Sequence, residues 1–428
     1  MDRRQLVVDR TREIFADRLE DVLDMVRQDR QELRGWEEPA HVRAVLRRRL
    51  HEGGNESESS SVAVHENELA RRAGEPDRGT QREGIGQLLE AGARGLERLI
   101  RRETSLAVEE RLGLECVLLL YGRPAILLSQ GRLDSVPSFW NILEDQREEV
   151  EMVQRGVGRI ELLGHPDFDW AGTAMLVNEN VLLTTRRTAE SFVENREGNW
   201  QFRPGITTWM NYRAEHQEMA SAGYRIRRVV GVHDSYDLAV LEVEPPQANQ
   251  DGAPTPLVLA AQPPASLENR PVYMVGYPVR DARRNEPEVI SRVCRDVYNV
   301  KRVQPGLLRN GFDFREVQLV RHDCGMLGQN SGSPIFDLET HQVLAMHLSG
   351  RYLESSTAIP LYALRDDPLL QRAGVTFSTI SRQDLDNTTS QLERLARSRY
   401  WNEVRDTVAN LYRRAFGNVA TGPGNGQL

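Results

Sequence analysis

The N-terminal part of the chain carries apolar residues at the spacing of about 3.6 residues that is typical of a helix. The apolar positions are Leu6, Val7, Ile14, Phe15, Leu19, Val22, Leu23 and Val26. This pattern predicts a helical segment over residues 1–50, in one or two pieces. Residues 51–62 are instead rich in Gly, Ser and Glu, a composition that predicts a flexible linker.

Residues 63–150 return to a helical pattern that is interrupted by one apolar stretch. Two short apolar runs, CVLLLY and AILL, lie on either side of Gly122, Arg123 and Pro124. Because Gly and Pro favour turns, this stretch predicts a short β-hairpin within the helical region.

From residue 151 to about residue 375, short apolar runs alternate with Gly, Pro, Asn and Asp. Runs of this length and spacing predict the strands of an all-β sandwich or barrel. Residues 376–416 are again helical in pattern, and residues 417–428 predict a disordered tail. The sequence therefore predicts a multidomain chain with an α-helical N-terminal region, an all-β domain and a C-terminal helix.

Composition narrows the classes of function. The formal net charge is −8, so there is no basic excess to neutralise phosphates and we expect no nucleic-acid partner. Arg supplies nearly all of the positive charge, and Lys301 is the single lysine, as expected for a bacterial gene rich in G and C. The three cysteines, Cys116, Cys294 and Cys324, are widely spaced and predict neither a disulfide framework nor a metal site. No cofactor is implied.

The N-terminus is charged throughout and lacks the apolar segment of a signal peptide. No apolar run is long enough to span a bilayer. We therefore expect a cytoplasmic protein without a membrane partner.

The stretch LGQNSGSPIFD, residues 327–337, predicts a tight turn that carries Ser331 between two strands. A serine on such a turn is a candidate nucleophile if a general base activates it. The same pattern also occurs in ordinary loops rich in Gly and Ser, so the surrounding residues decide between the two interpretations.

The flanking segments support the first interpretation. A strand pair ending in TTRRTAE, the strand YDLAVLEV and the strand pair around SPIFDLETHQVLAMHLSG follow one another in this order. With these motifs, residues 156–364 resemble the trypsin-like, chymotrypsin-fold serine peptidases of bacteria. The longer chain resembles members of this family that carry a helical N-terminal region. The resemblance implies a domain of two β-barrels over residues 151–375 and a peptide or protein as substrate or partner.

Carried over residue by residue, the resemblance assigns the nucleophile to Ser331 and the family aspartate to Asp237. The family histidine falls on Arg187, and a guanidinium cannot accept a proton near neutral pH. We expect Arg187 to form a bidentate ion pair with Asp237. The backbone of Gln329, Asn330 and Ser331 corresponds to the oxyanion hole.

Other positions also depart from the family pattern. Gln329 and Ala174 replace family glycines, and Met326 replaces a hydroxyl residue in the wall of the specificity pocket. His347 falls where glutamate-specific members of the family have a histidine. These changes predict impaired catalysis, that is, a pseudoprotease that retains a peptide-binding cleft.

Two alternatives stay open. One is an active endopeptidase that uses another base, such as His233, and favours acidic side chains through His347. The other is a scaffold that acts or self-associates through its N- or C-terminal helices. The remaining histidines of the β-domain are expected in loops or on the surface. They are His165, His216, His322 and His341.

Overall fold

The computed structural model forms two compact units. A helical unit lies within Met1–Gly122 and includes Asn285–Asp296, and a β-rich unit lies within Arg123–Arg284 and Val297–Leu428. The structure describes residues 3–36, 84–103, 105–216, 223–245, 253–280, 287–294, 296–325, 327–328, 330–350 and 355–378. The predicted linker, residues 51–62, lies outside these ranges, as do residues 37–50 of the predicted N-terminal helix.

The helical unit buries the apolar stripes that the sequence pattern predicts. Val22, Val26, Leu96 and Leu114 are fully buried. A short 3₁₀ turn separates the first two helices, and a π-helical turn extends the fourth. The helices are α1 (Arg3–Phe15), α2 (Leu19–Trp36), α3 (Gly84–Ile100), α4 (Val108–Val117) and, from the later segment, α8 (Pro287–Cys294).

Two glycines allow α3 and α4 to approach each other closely. A Cβ atom on Gly113 would lie 2.1 Å from the backbone N of Gly92, and a Cβ atom on Gly92 would lie 2.7 Å from the backbone O of Gly113. Since these neighbours are backbone atoms, neither position accepts a side chain without separating the helices.

The predicted β-hairpin around Gly122 was misplaced. The first apolar run belongs to α4 and to the π-helical turn Leu118–Gly122. The hairpin lies further along, in β1 (Ile126–Ser129) and β2 (Arg132–Leu133), with Gln130 and Gly131 at positive φ in the turn. Leu-rich runs fit a buried helix as well as a strand, and periodicity alone does not separate the two.

The first barrel of the β-rich unit is closed, with strand order β10-β5-β4-β3-β8-β9. Its strands alternate between the barrel interior and the space between the barrels: Ala174 and Leu176 face the interior cluster, whereas Met175 and Val177 join the cluster shared with the second barrel. A separate hairpin, β6 (Val193–Arg196) and β7 (Asn199–Phe202), accompanies it. The barrel strands are β3 (Val157–Leu163), β4 (Trp170–Leu176), β5 (Val181–Thr184), β8 (Thr207–Asn211), β9 (Tyr224–Val232) and β10 (Ala239–Val243).

The second barrel also has six strands, in the order β12-β15-β16-β17-β14-β13, and pairing of β13 with β12 closes it. Strand β1 extends this sheet from β13, the short strand β11 (Leu259–Ala260) pairs with β16, and β18 (Phe377–Ser378) pairs with β11. The predicted two-barrel chymotrypsin-like domain is therefore confirmed. The strands are β12 (Pro271–Gly276), β13 (Arg302–Phe314), β14 (Val317–His322), β15 (Pro334–Asp337), β16 (Val343–Gly350) and β17 (Ser356–Pro360).

In the described part of the chain, the β-rich unit also contains four short α-helices. They are α5 (Asn141–Asp145), α6 (Arg147–Val153), α7 (Arg186–Ala189) and α9 (Pro368–Arg372). The predicted C-terminal helix, residues 376–416, and the predicted tail fall outside the described residues beyond Ser378.

Within the described ranges, no helix is both long enough and apolar enough to cross a membrane.

Candidate functional site

Ser331 lies in the loop that joins β14 to β15, which we call the Ser331 loop and define as residues 323–333. Gly332 has a φ of +87°, and a Cβ atom there would lie 2.1 Å from the backbone O of Thr173. The N–H of Gly332 donates to the carbonyl of His347 at 2.9 Å, and the N–H of Ser333 donates to that of Asn330 at 3.0 Å. These contacts fix a tight turn, as the sequence NSGS predicts.

The hydroxyl of Ser331 donates a hydrogen bond of 2.8 Å to the backbone carbonyl of Leu348 in β16. No imidazole nitrogen in the described part of the chain lies within hydrogen-bonding distance of this hydroxyl. An amide carbonyl can accept the hydrogen bond, but it cannot act as a general base. Among the described residues, the hydrogen-bond partner of the Ser331 hydroxyl is therefore an acceptor that cannot activate it.

Arg187 lies in the short helix α7, directly after β5. Thr185 caps this helix by accepting a hydrogen bond from the N–H of Thr188 at 3.1 Å. The side chain of Arg187 is 70 % exposed. Its backbone N–H, and not its guanidinium, makes the short contact with Asp237, at 2.9 Å to Oδ1.

The expected bidentate ion pair between Arg187 and Asp237 is wrong. One guanidinium nitrogen, Nη2, lies 3.9 Å from Oδ2 of Asp237. The guanidinium therefore makes a single, long contact with Asp237, from the exposed side chain of Arg187. Such an exposed pair contributes little, at most about 1 kcal/mol.

The segments that carry Ser331 and Arg187 meet over Gly172 of β4. A Cβ atom on Gly172 would lie 2.8 Å from the side chain of Thr188 and 3.4 Å from the carbonyl O of Ser331. The N–H of Thr173 donates to the same carbonyl at 3.2 Å. The structure thus brings together two segments that are far apart in sequence. Ala174, one of the departures from the family pattern, lies in the core of the first barrel.

Asn330, one of the three residues assigned to the oxyanion hole, uses its side chain for hydrogen bonds within the protein. Asn330 is buried, accepts a hydrogen bond from Nε2 of Gln304 at 3.1 Å and donates one to the carbonyl of Leu327 at 3.3 Å. For the backbone N–H of Ser331, no acceptor is found among the described residues. Gln329 and Met326 lie outside the described residues.

His347 pairs with a second histidine that the sequence did not single out. Nε2 of His322 lies 2.9 Å from Nδ1 of His347, and both side chains are buried. Burial lowers the pKa of His322 from 6.5 to about 4, although the charge of Asp323 acts in the opposite direction. His322 is therefore neutral near pH 7. The expectation that His322 lies in a loop or on the surface is wrong, because it is buried in β14, whereas His341 lies, as expected, in a loop, although it is buried there.

Hydrogen bonding indicates where the two imidazoles carry their protons. Nδ1 of His322 is buried without a hydrogen-bond partner. A buried N–H without an acceptor costs free energy, so we place the proton of His322 on Nε2, from which it donates to His347. Nδ1 of His347 is then the acceptor, and its own proton is on Nε2.

His233, the candidate alternative base, has both ring nitrogens engaged. Nδ1 accepts the backbone N–H groups of Ser235 and Tyr236 at 3.0 Å each. Nε2 therefore carries the proton and donates to Asp367 at 3.1 Å. These hydrogen bonds hold the imidazole of His233 against the loop before β10 and the start of α9.

A comparison with models of known protein families finds a match in the part of the chain that carries Arg187, Asp237 and Ser331. Residues 172–346 match the family model described as trypsin-like peptidase domain. No curated protein matches the chain.

Among solved structures, the chain is similar to the protease Rv3671c from M. tuberculosis. Its active form shares 16 % identity over 60 % of this chain and 95 % of that one, with a TM-score of 0.36. Its inactive form shares 17 % identity over 54 % and 94 % of the two chains, with a TM-score of 0.34.

Proposed function

Because residues 172–346 form a trypsin-like peptidase domain, we propose that the protein is a serine-protease homologue that binds peptides in its cleft and is impaired in cleaving them. The family acts on peptides and proteins, so the chemical class of the partner follows from the domain. The proposal concerns what the site does with such a partner once it is bound.

The hydrogen bond from the Ser331 hydroxyl to the carbonyl of Leu348 is the observation that carries this proposal. The family resemblance assigns the base to Arg187, which cannot accept a proton, and His233 is held by Asp367. Removal of a residue of the catalytic triad typically lowers kcat by roughly 10⁴- to 10⁶-fold. With kcat lowered to this extent, we expect the protein to bind peptides without appreciable cleavage.

Binding, in contrast, needs only the features that remain. The N–H of Ser331 is a donor for a peptide carbonyl, and its position is fixed by the turn at Gly332. His347 falls where glutamate-specific members of the family have a histidine, and an imidazole N–H suits a carboxylate acceptor. We therefore propose that the cleft favours a peptide with an acidic side chain.

A fluorophosphonate probe tests the lack of nucleophilic activation. We expect no labelling of the wild-type chain above the level of Ser331→Ala, since the hydroxyl has no base. Labelling that requires Ser331 would contradict the proposal. Arg187→His is the informative companion, because a gain of labelling would show that the lost imidazole alone accounts for the lack of activity.

Calorimetric titration tests the binding half of the proposal. The probes are N-acetyl-Ala-Ala-Pro-Glu amide and the matched peptide that ends in Gln. Because a hydrogen bond to a charged group contributes about 1.5–3 kcal/mol, we expect the Glu peptide to bind at least about tenfold more tightly. His347→Leu should remove the difference between the two peptides. Equal affinities in the wild-type chain would refute the proposed preference.

A further inference from the structure

The Ser331 loop begins at a buried ion pair. Asp323, directly after β14, accepts two hydrogen bonds of 2.8 Å from Nε and Nη2 of Arg123. Both side chains are only 2 % exposed. Asp323 also accepts the backbone N–H of Leu307 at 2.7 Å, and Nη2 of Arg309 lies 3.3 Å away. With these four donors the carboxylate is fixed in place, and so is the start of the loop.

A backbone hydrogen bond holds the same loop near its other end. The N–H of Val279 donates to the carbonyl of Gly328 at 3.2 Å, and the two residues form an isolated antiparallel bridge. Gly328 lies three positions before Ser331. Val279 belongs to the segment that leaves β12.

One anchor, Arg123, lies at a point where the chain passes between its two units, and the other, Val279, lies five residues before such a point. Arg123 is the first residue of the β-rich unit after Gly122, the last residue of the helical unit. The segment that starts at Val279 continues into α8, which belongs to the helical unit. The chain segments before and after α8 are joined by a hydrogen bond of 3.1 Å from the N–H of Asn299 to the carbonyl of Pro278.

We propose that Arg123 and Val279 are positioning residues through which the helical unit controls the conformation of the Ser331 loop. A bidentate buried pair tolerates little displacement, because any lengthening leaves a desolvated carboxylate short of donors. A shift of the chain at Gly122, the residue before Arg123, is therefore passed to the loop that carries Ser331. As a regulation of peptide binding, this inference rests on the proposed function.

Hydrogen–deuterium exchange of the full-length chain measures the loop directly. Arg123→Leu removes one anchor, and Val279→Pro removes the N–H of the other. We expect each variant to raise the exchange rate of amides in residues 327–333 at least about tenfold, with amides of β3 to β5 unchanged. Arg123→Lys and Val279→Ala are the milder companions. The lysine keeps the charge without the fork and should give an intermediate rate, and the alanine keeps the N–H and should match the wild type.

Arg270 offers a matched control. It forms a bidentate pair with Asp337 in the same barrel, with two contacts of 2.9 Å. Arg270→Leu should leave the exchange of residues 327–333 unchanged. The positioning role is overturned if Arg270→Leu and Arg123→Leu have equal effects on the loop, or if Arg123→Leu has none.

A change within the helical unit tests the control by that unit. Gly113→Ala adds a Cβ atom 2.1 Å from the backbone of α3, far along the chain from the Ser331 loop. We expect faster exchange in residues 327–333, and an effect confined to the helices would refute the coupling.

Titration of the same variants with N-acetyl-Ala-Ala-Pro-Glu amide separates the two proposals. If the wild-type chain does not bind the peptide, the proposed function fails, and the exchange data still decide the positioning role. If the wild type binds, Arg123→Leu should weaken binding at least about tenfold while Arg270→Leu does not.

Discussion

Gly332 fixes the position of Ser331 because a side chain at this residue is excluded twice. Its φ of +87° is unfavourable for residues with a Cβ atom, and that atom would collide with the backbone O of Thr173. Backbone conformation and packing thus act together at the residue that follows the candidate nucleophile.

Gly198 allows these two effects to be separated. It has the same φ of +87°, but a Cβ atom there would meet nothing within 4 Å. We expect Gly198→Ala to lower the free energy of unfolding by about 1 kcal/mol, from backbone strain alone. Gly332→Ala should lower it by several kcal/mol more, because β4 must move away. Urea unfolding of both variants measures the difference, and equal losses would show that Thr173 yields without cost.

Among the structural elements, three segments are held together by Lys301, the single lysine of the chain. It lies directly before β13, fully buried, and its Nζ donates to the carbonyl of Tyr212 at 2.5 Å and to Oε1 of Gln154 at 2.9 Å. Oε1 of Glu215 lies 3.4 Å away. The segment after α6, the segment after β8 and the start of β13 are therefore held by one ammonium group.

Replacement of Lys301 with methionine should leave the carboxylate of Glu215, only 3 % exposed, without its cation. We expect a loss of roughly 3–5 kcal/mol in the free energy of unfolding, measured by guanidinium denaturation. The double variant Lys301→Met with Glu215→Gln should be more stable than the single variant, because it buries no charge. If the second substitution lowers stability further, the ion pair is not the source of the loss.

Strand β13 shows why some elements could not be predicted from the sequence. Its sequence, RVQPGLLRNGFDF, contains a proline and two glycines, which argue against a long strand. In the barrel, Gly306 is required because a Cβ atom would lie 2.6 Å from the backbone N of Cys324. Gly306, which argues against a strand in the sequence, is thus the residue that allows β13 to pack against the start of the Ser331 loop.

The stability of the whole molecule should depend on pH through His322. Burial holds its folded pKa at about 4, below the value of about 6.5 expected in the unfolded chain. The unfolded state therefore binds more protons between these values, so stability is full above pH 6.5 and is lost as the pH falls towards 4. The contribution is on the order of 3 kcal/mol.

Unfolding measured across this pH range, with His322→Gln as the control, tests this assignment. The glutamine keeps a donor for Nδ1 of His347 and does not titrate. We expect the variant to lose less stability than the wild type between pH 6.5 and pH 4. Parallel curves would mean that other groups cause the whole pH dependence.

Local sequence patterns were enough to predict the order of the regions and the tight turn that carries Ser331. Apolar spacing predicted the helices within Arg3–Trp36 and most barrel strands, because both depend on local periodicity that burial imposes on every residue of an element. The motif around Ser331 also predicted a tight turn, since the conformation at Gly332 is a local requirement.

The contacts that those residues make became visible only in the folded chain. The hydrogen bond of Ser331 to Leu348, the pairing of His322 with His347 and the ion pair of Arg123 with Asp323 join residues 17, 25 and 200 positions apart. Such contacts follow from the closure of the barrels and from the course of the chain between its units. No local pattern encodes them, because the free energy of each contact depends on partners that only the complete fold brings within reach.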